Sequence, residues 1–260
     1  MEHNLTPLSN KIYKSRWALK EALHFPRVFH QKWRAFLESF YVDVQRKKSP
    51  IPTVELAELV SPDIEVHLSH FLGRDGNVST YETLAISSLV SHHAPSTLLE
   101  LGTFDGNTTL QMALNSPPDA VIHTLDLPEA PMRTKEPISK ADLRYVLDAK
   151  KQRRKYVGTS VESKIVQHFG DSTNFDFTRF MDRGPIDFVF IDAGHTYECV
   201  KSDTFHALQV LSPKGMILWH DCHPFWNGVF RYLNELSSDL PIRRIANTNL
   251  AYYFRNPDSR

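Results

Sequence analysis

In Leu98-Leu99-Glu100-Leu101-Gly102-Thr103-Phe104-Asp105-Gly106-Asn107-Thr108-Thr109, an apolar run leads into two glycines and then into a helical segment. Glycine tolerates positive φ and has no side chain, so such a turn lets backbone amides approach a ligand. The stretch therefore predicts a strand, a turn that binds a polar ligand, and a helix.

Outward from this turn, short apolar runs alternate with helical segments. Strands are predicted at 97–101, 120–125, 163–169, 186–191 and 216–219, and helices at 81–91, 107–115 and 196–211. Ser79 and Glu82 form a capping box before the first of these helices. Two last apolar runs, 242–246 and 250–254, predict an antiparallel hairpin. The pattern predicts an α/β fold with a Rossmann-like doubly wound, mainly parallel seven-stranded sheet that the hairpin closes.

One known class of ligand turn is disfavoured by the residues between the glycines. A dinucleotide-binding turn follows Gly-x-Gly-x-x-Gly, which would need glycine where Phe104 and Asn107 stand. The sequence therefore disfavours the interpretation of this chain as a nicotinamide-dependent oxidoreductase.

The turn instead resembles the first motif of class I S-adenosylmethionine-dependent methyltransferases, in which an acidic residue precedes the first glycine by two positions. The resemblance implies that Glu100 lies near the amino-acid end of the cofactor and that the turn passes under its sulfonium and ribose. It implies cofactor contacts at the positions Glu100, Gly102, Thr103, Phe104, Asp105, Gly106, Asn107 and Thr108.

Two later strand ends extend the resemblance. Asp126, followed by Leu127, ends the second strand, where a carboxylate can accept hydrogen bonds from both ribose hydroxyls. Asp171, followed by Ser172, comes after the third strand, and the resemblance implies that it meets the adenine amine. Alternatives remain open, because Asp126 could cap a helix and Asp171 could be an ordinary turn residue.

The next two strands end in polar segments at the edge where open α/β sheets bind ligands. These segments, Ile191-Asp192-Ala193-Gly194-His195-Thr196-Tyr197-Glu198 and His220-Asp221, resemble the bacterial small-molecule and sugar O-methyltransferase branch of the family. The resemblance implies a divalent cation on Asp192 and Asp221, with His220 as a third ligand and Asp192 also close to the cofactor. Oxygen ligands suit Mg²⁺, whereas a histidine ligand favours Mn²⁺.

Catechol-type relatives carry Asp-Asn where this chain has His220-Asp221, so a role without metal is also considered. In that alternative, Asp192 caps the following helix and Asp221 bonds local amides. His195 occupies the place of a general base in relatives, and an imidazole can accept a hydroxyl proton near neutral pH. We predict catalysis by His195 and Asp192, with methyl transfer to oxygen of a small acceptor.

Composition narrows the class of protein further. The 260 residues carry 30 basic and 30 acidic side chains, so no general electrostatic footprint for nucleic acid is expected. Cys199 and Cys222 are the two cysteines, too few for a disulfide framework. No signal peptide and no apolar run of about 18 residues is recognisable. These features predict a soluble, cytoplasmic protein.

Charge is unevenly distributed along the chain. Residues 11–50 carry ten Lys or Arg against three acidic residues, interleaved with aromatic side chains. This predicts a basic amphipathic helical arm over 1–52, which either contacts an anionic membrane surface or packs on the catalytic domain or a second subunit in a homo-oligomer. The methyltransferase domain is predicted at 53–260.

Within that domain, a basic flap is predicted at 128–162. Residues 133–155 contain nine basic and three acidic residues. This excess of basic residues indicates either an anionic acceptor, such as a nucleotide sugar, or a solvated helix face. A non-catalytic protein that binds S-adenosylmethionine is the second functional hypothesis, and the oxidoreductase is the third.

Overall fold

The computed structural model describes residues 37, 39–42, 44–71, 73, 75–128, 134–136, 138, 140–149 and 153–256. The chain divides into two compact units, Met1–Ser49 and Pro50–Arg260. In the first unit, the described residues from 37 to 48 are helical. Most of the predicted arm over 1–52 lies outside the described residues, so the arm and its membrane or subunit contacts stay predictions.

The second unit is built on one sheet of eight strands in the order β1-β7-β8-β6-β5-β2-β3-β4. Strands β2 to β6 pair in parallel, whereas β8 is antiparallel to both β6 and β7. The doubly wound sheet and the closing hairpin are thereby confirmed. The strands are β1 Thr53–Val54, β2 Thr97–Leu101, β3 Val121–Asp126, β4 Ile165–Phe169, β5 Ile186–Ile191, β6 Leu211–Trp219, β7 Arg243–Ile245 and β8 Ala251–Phe254.

The prediction of seven strands is wrong by one. The additional strand, β1, pairs in parallel with β7, because the amide of Arg244 donates to the carbonyl of Pro52 and the amide of Ala246 donates to that of Val54, both at 2.8 Å. A two-residue strand leaves no periodicity in the sequence, since its pairing is decided by distant partners.

Helices cover both faces of the sheet. Successive side chains of a strand point to opposite faces, so in β2 Leu99 packs with one buried cluster that includes Val200 and Leu233, while Leu98 packs with another that includes Ile86. All five residues of β2 are buried, as expected of a strand covered on both sides. The helices are α1 Thr80–His93, α2 Asn107–Asn115, α3 Lys140–Ala149, α4 Tyr197–Val210 and α5 Asn227–Leu236.

The capping box predicted for α1 is present. Ser79 Oγ accepts the amide of Glu82, while the Glu82 carboxylate accepts the amide of Ser79 at 2.8 Å. This arrangement satisfies two donors that the start of a helix otherwise leaves open. Within the part of the chain that is described, no helix combines the length and apolar character needed to cross a membrane.

Candidate active site

A cavity of about 470 Å³ opens at the carboxyl edge of the parallel strands. Its walls come from the ends of β2, β3, β4, β5 and β6, from the flap segment between β3 and β4, and from the segments beside the starts of α1, α5 and β8. Such an edge is the usual ligand-binding position of open α/β sheets. Ten of the predicted site residues line the cavity: Gly102, Phe104, Asp126, Leu127, Asp171, Ser172, Asp192, His195, His220 and Asp221.

The glycine turn packs against the backbone of Asp192, the residue that follows β5. Gly102 has a φ of +98°, and a Cβ added there would lie 2.0 Å from the carbonyl oxygen of Asp192. Backbone bonds fix the same region, since the amide of Asp192 donates to the Leu101 carbonyl at 2.8 Å and the amide of Gly102 donates to that of Leu125 at 2.9 Å. Glycine is the residue that combines this φ with so close an approach.

Six predicted cofactor residues are buried behind the turn and do not line the cavity: Glu100, Thr103, Asp105, Gly106, Asn107 and Thr108. Their polar side chains bond within the protein. Thr103 Oγ1 lies 2.6 Å from Thr124 Oγ1. Asp105 accepts the amide of Asn107 at 3.1 Å and pairs with Lys155 Nζ at 3.2 Å. The structure thus gives these side chains a part in shaping the turn, and their contact with a cofactor stays a prediction.

Glu100 is a fully buried carboxyl group beneath the turn. The hydroxyls of Thr109 and Thr124 both donate to its Oε2, the second at 2.6 Å. Desolvation by burial raises the pKa of Glu100 from 4.5 to about 8, although the two hydroxyl bonds act in the opposite direction. Glu100 is therefore protonated at neutral pH.

We expect Glu100 to make the protein less stable as the pH rises. The folded state keeps a proton that the unfolded chain releases, so the free energy of unfolding falls between pH 4.5 and about 8. The slope from this one group is about 1.4 kcal/mol per pH unit. Glu100→Gln keeps the shape without the titration, so the slope should disappear. Urea unfolding of both proteins across this range measures the difference, and parallel profiles would contradict the expectation.

Asp126 ends β3 with its carboxylate at the cavity. Its Oδ1 accepts the amide of Leu127 at 2.8 Å, and its Oδ2 pairs with Arg154 Nη2 at 3.1 Å. Leu127 and Pro128 are not helical, so Asp126 does not cap a helix there. Its position at the rim of the cavity agrees with the predicted ribose contact, which stays a prediction.

Asp171 has a local structural role as well as a place in the cavity wall. It begins the 3₁₀ helix Ser172–Asn174, because its Oδ1 accepts the amide of Thr173 at 3.0 Å. Its Oδ2 accepts the amide of Lys135, in the flap segment, at 2.7 Å. The alternative of a turn residue is thus confirmed, whereas its contact with adenine stays a prediction.

The ends of β5 and β6 bring together carboxylates and histidines. His195 Nε2 lies 2.7 Å from Asp221 Oδ2 and 3.9 Å from Asp192 Oδ1. His220 Nδ1 lies 3.1 Å from the same Asp192 oxygen. One candidate ligand atom each from Asp192, His195 and Asp221 lies within 4.8 Å of the others. His195 therefore joins the predicted group of Asp192, His220 and Asp221, because His220 Nδ1 also lies 3.4 Å from Asp221 Oδ2.

Neither carboxylate has the purely structural role considered above. Thr196 begins α4, since its Oγ1 accepts the amide of Cys199 at 3.2 Å, so Asp192 is not the cap of that helix. Asp221 has a φ of +56°, and its carboxylate faces His195 and His220. Both side chains are thus directed at the histidines.

The two imidazoles are held in their charged forms. Burial alone would lower the pKa of His195, but hydrogen bonds to Asp142 and Asp221 outweigh it and raise the pKa to about 10. Burial also opposes the charge on His220, yet the carboxylates of Asp192 and Asp221 raise its pKa well above 6.5. In this state His195 carries a proton at neutral pH, and it can accept another group's proton only after that proton has left Nε2.

Three residues of the site were missed from the sequence. Asp142 accepts a hydrogen bond from His195 Nδ1 at 2.7 Å, Trp226 stacks on the His195 ring with centroids 4.1 Å apart, and Glu82 lies 3.5 Å from His220 Nε2. The capping box explains Glu82 from the sequence without any role in the site. Asp142 is one of three acidic residues in a basic segment, which gives no indication of its partner. No local pattern reveals such contacts, because they join distant parts of the chain.

The described bases of the flap segment do not line the cavity. Arg154 and Lys155 pair with Asp126 and Asp105, while Lys135 and Arg153 are exposed. These side chains therefore face solvent or neutralise carboxylates, which agrees with a solvated face better than with a site for an anion.

Comparison with known proteins adds independent findings. Residues 99–222 match the family model of a methyltransferase domain. No curated protein matches the chain at a significant level.

Two solved O-methyltransferase structures are similar to this chain. The O-methyltransferase TomG from Streptomyces achromogenes, solved in complex with S-adenosylmethionine and involved in tomaymycin synthesis, is 17% identical. The alignment covers 78% of this chain and 100% of that chain, with a TM-score of 0.51. An O-methyltransferase from Bacillus cereus, in complex with S-adenosylhomocysteine, is 14% identical over 70% of this chain and 84% of that chain, with a TM-score of 0.48.

The matched region begins inside β2 and ends just after β6, so it contains the glycine turn and both polar strand ends. The sheet order and the position of the cavity agree with this match. Residues 99–222 of this chain therefore match a methyltransferase domain, and the chain shares its α/β fold with the O-methyltransferase TomG.

Proposed function

We propose that this chain transfers the methyl group of S-adenosylmethionine to a hydroxyl oxygen of a small molecule or a sugar or glycan precursor. One observation carries the proposal. A single cavity joins the glycine turn, Asp126 and Asp171 on one side to the cluster of Asp192, His195 and Asp221 on the other. A methyl donor and an acceptor oxygen that bind in one such cavity can be aligned for in-line transfer.

The cofactor side of the proposal rests on the strand ends. Gly102 places the backbone turn at the centre of the sheet edge, Asp126 offers a carboxylate to the ribose, and Asp171 lies farther along at the end of β4. The order follows the sheet order β5-β2-β3-β4, so an extended ligand laid along this edge meets the three in turn. S-adenosylmethionine has its sulfonium, ribose and adenine in that sequence.

Asp192, His195 and Asp221 also suit a divalent cation. Two carboxylates and an imidazole within 4.8 Å of one another offer oxygen and nitrogen ligands of the kind Mn²⁺ accepts, and with water in place of His195 the site suits Mg²⁺. Such an ion, when bound, supplies positive charge that lowers the pKa of an acceptor hydroxyl and balances the two carboxylates.

The protein's own groups complete the chemistry. When His195 is not a ligand of the ion, its Nε2 faces the cavity and accepts the hydroxyl proton after the proton it carries at neutral pH has passed to solvent. Trp226 covers one face of that ring and limits the access of water, which keeps the reacting atoms in a low-dielectric site. Asp192 joins the two halves of the site, because its carbonyl contacts the turn at Gly102 and its carboxylate faces His220.

The described lining also bears on the acceptor. It contains eight carboxylate side chains, namely Asp75, Glu82, Asp126, Glu136, Asp142, Asp171, Asp192 and Asp221, and neither lysine nor arginine. The charged His195 and His220 balance two of these carboxylates, so the described lining stays net negative and disfavours an anion. Of the acceptors considered from the sequence, a neutral polyhydroxyl compound therefore fits these residues better than a phosphate-bearing one.

Titration of the purified protein with S-adenosylhomocysteine in a calorimeter tests the proposal. We expect binding at micromolar concentration and none of NAD, and we expect methyl-labelled S-adenosylmethionine to pass its label to a hydroxylated acceptor in a screen of neutral sugars and catechols. Absence of binding would refute the proposal. Binding without transfer to any class of acceptor would favour the non-catalytic alternative.

Metal removal gives a separate prediction. If the carboxylates hold a cation during turnover, EDTA should abolish methyl transfer, and Mn²⁺ or Mg²⁺ should restore it after the chelator is removed. Binding of Mn²⁺ to the protein without acceptor, followed by electron paramagnetic resonance, should be lost in Asp221→Asn. Turnover that is indifferent to chelation would contradict the metal role and would leave the methyl-transfer proposal intact.

A further inference from the structure

Asp142 is a buried acid on a helix whose neighbouring side chains are exposed. The residue Asp142 is 7% exposed, whereas Leu143 and Leu147 of the same helix α3 are 45% and 49% exposed. A buried carboxylate needs a hydrogen-bonded partner, because burial without one costs several kcal/mol. The position of Asp142 is thus explained by what it contacts in the interior.

That partner is His195. The ring Nδ1 donates to Asp142 Oδ1 at 2.7 Å, and the backbone amide of His195 lies 3.5 Å from Oδ2. The carboxylate therefore meets both the side chain and the main chain of one residue. Contact with both restricts the rotation of the imidazole about its side-chain bonds.

The remaining surroundings of His195 complete its orientation. Trp226 stacks on the ring with an interplanar angle of 24°, and Nε2 points to Asp221 Oδ2 at 2.7 Å. With Nδ1 occupied by Asp142, Nε2 is the nitrogen that faces the cavity. A histidine whose outer nitrogen bonds a carboxylate is held in one orientation and one tautomer, and loss of the carboxylate typically lowers activity or metal affinity by about 10- to 100-fold.

We propose that Asp142 is a positioning residue that orients His195 for methyl transfer, and that the flap segment thereby supplies part of the catalytic centre. The inference rests on the proposed function. Asp142 lies between β3 and β4 in the chain, outside the sheet that carries the other polar residues of the site. Correct placement of α3 is therefore a condition for turnover as well as a cover for the cavity.

The test compares Asp142→Asn with the matched variant Leu143→Ala in the full chain, both saturated with S-adenosylhomocysteine. Nitrogen-15 histidine labelling shows the Nδ1 proton of His195, assigned by its loss in His195→Gln. We expect a strongly downfield proton signal in the parent and in Leu143→Ala, and its loss in Asp142→Asn. We also expect Asp142→Asn to lower kcat by about 10- to 100-fold, with the affinity for S-adenosylhomocysteine changed by less than about 2-fold.

A merely structural role gives a different pattern. If Asp142 only held α3 in place, Asp142→Asn would expose the flap to trypsin and weaken S-adenosylhomocysteine binding, while Leu143→Ala would remain resistant. That pattern, or an unchanged Nδ1 signal with unchanged kcat, would overturn the inference. Failure of the parent protein itself to bind S-adenosylhomocysteine would instead refute the proposed function, so the two failures are distinguishable.

Discussion

Gly102→Ala is expected to destabilise the protein by about 2–6 kcal/mol and to abolish S-adenosylhomocysteine binding. The added Cβ would meet the carbonyl oxygen of Asp192 at 2.0 Å and its carbonyl carbon at 2.7 Å, at a φ of +98°. The backbone strain costs about 1–3 kcal/mol, and a clash in a packed interior adds about 1–3 kcal/mol. Relief requires that the turn and the end of β5 separate, which moves the backbone that would lie beneath the cofactor.

Gly184 provides a matched control for this prediction. Its φ is +104°, close to that of Gly102, but a Cβ added there meets no atom within 4 Å. Gly184→Ala therefore contains the conformational strain without the clash. Urea unfolding and calorimetry of both variants separate the two effects. Equal losses of stability, with normal ligand binding in Gly102→Ala, would show that the close approach to Asp192 is unimportant.

His195→Ala should abolish turnover and preserve cofactor binding. His195 touches the acceptor side of the cavity through Nε2, whereas the proposed cofactor groups Asp126 and Asp171 belong to other strand ends. General-base catalysis contributes about 10²–10⁴-fold to a rate, so kcat should fall by about that factor. The affinity for S-adenosylhomocysteine should change by less than about 2-fold. Labelled methyl transfer and calorimetry provide the two measurements.

His92→Ala serves as the control for this second variant. His92 is exposed at the end of α1, where its Nδ1 accepts the amide of Ser61 at 3.2 Å, and it does not line the cavity. Its replacement should leave kcat unchanged. Equal turnover in His195→Ala and the parent would remove His195 from the mechanism.

Much of the fold could be predicted because its signals are local. The turn at Gly102 needs a positive φ and a close approach to Asp192, which glycine allows best. The glycine in the sequence therefore indicates where the turn lies. Polar residues such as Asp126, Asp192 and Asp221 directly follow apolar runs, and parallel strands bring their carboxyl ends to one edge. The positions of the parallel strands along the chain, and the residue at which each strand ends, were therefore enough to place these groups around one cavity.

The remainder depends on contacts between distant segments. Asp142 reaches His195 across 53 positions of sequence, and only the packing of α3 brings them together. The charge state of His195 also depends on distant contacts. Hydrogen bonds to two carboxylates raise its pKa to about 10, and neither contact follows from the local sequence. The burial of Glu100 and its hydrogen bonds from two threonine hydroxyls also depend on packing, and its contact with a cofactor stays a prediction.

The contact between Gly102 and the carbonyl of Asp192 has a consequence for the geometry of the reaction. In the proposed function, main-chain atoms, and not flexible side chains, set the distance between the methyl donor and the acceptor. Exchange of side chains around the cavity can then change which acceptor is received while the length over which the methyl group travels stays constant. A backbone of this kind can accept different acceptors through side-chain changes while the distance of methyl transfer is kept.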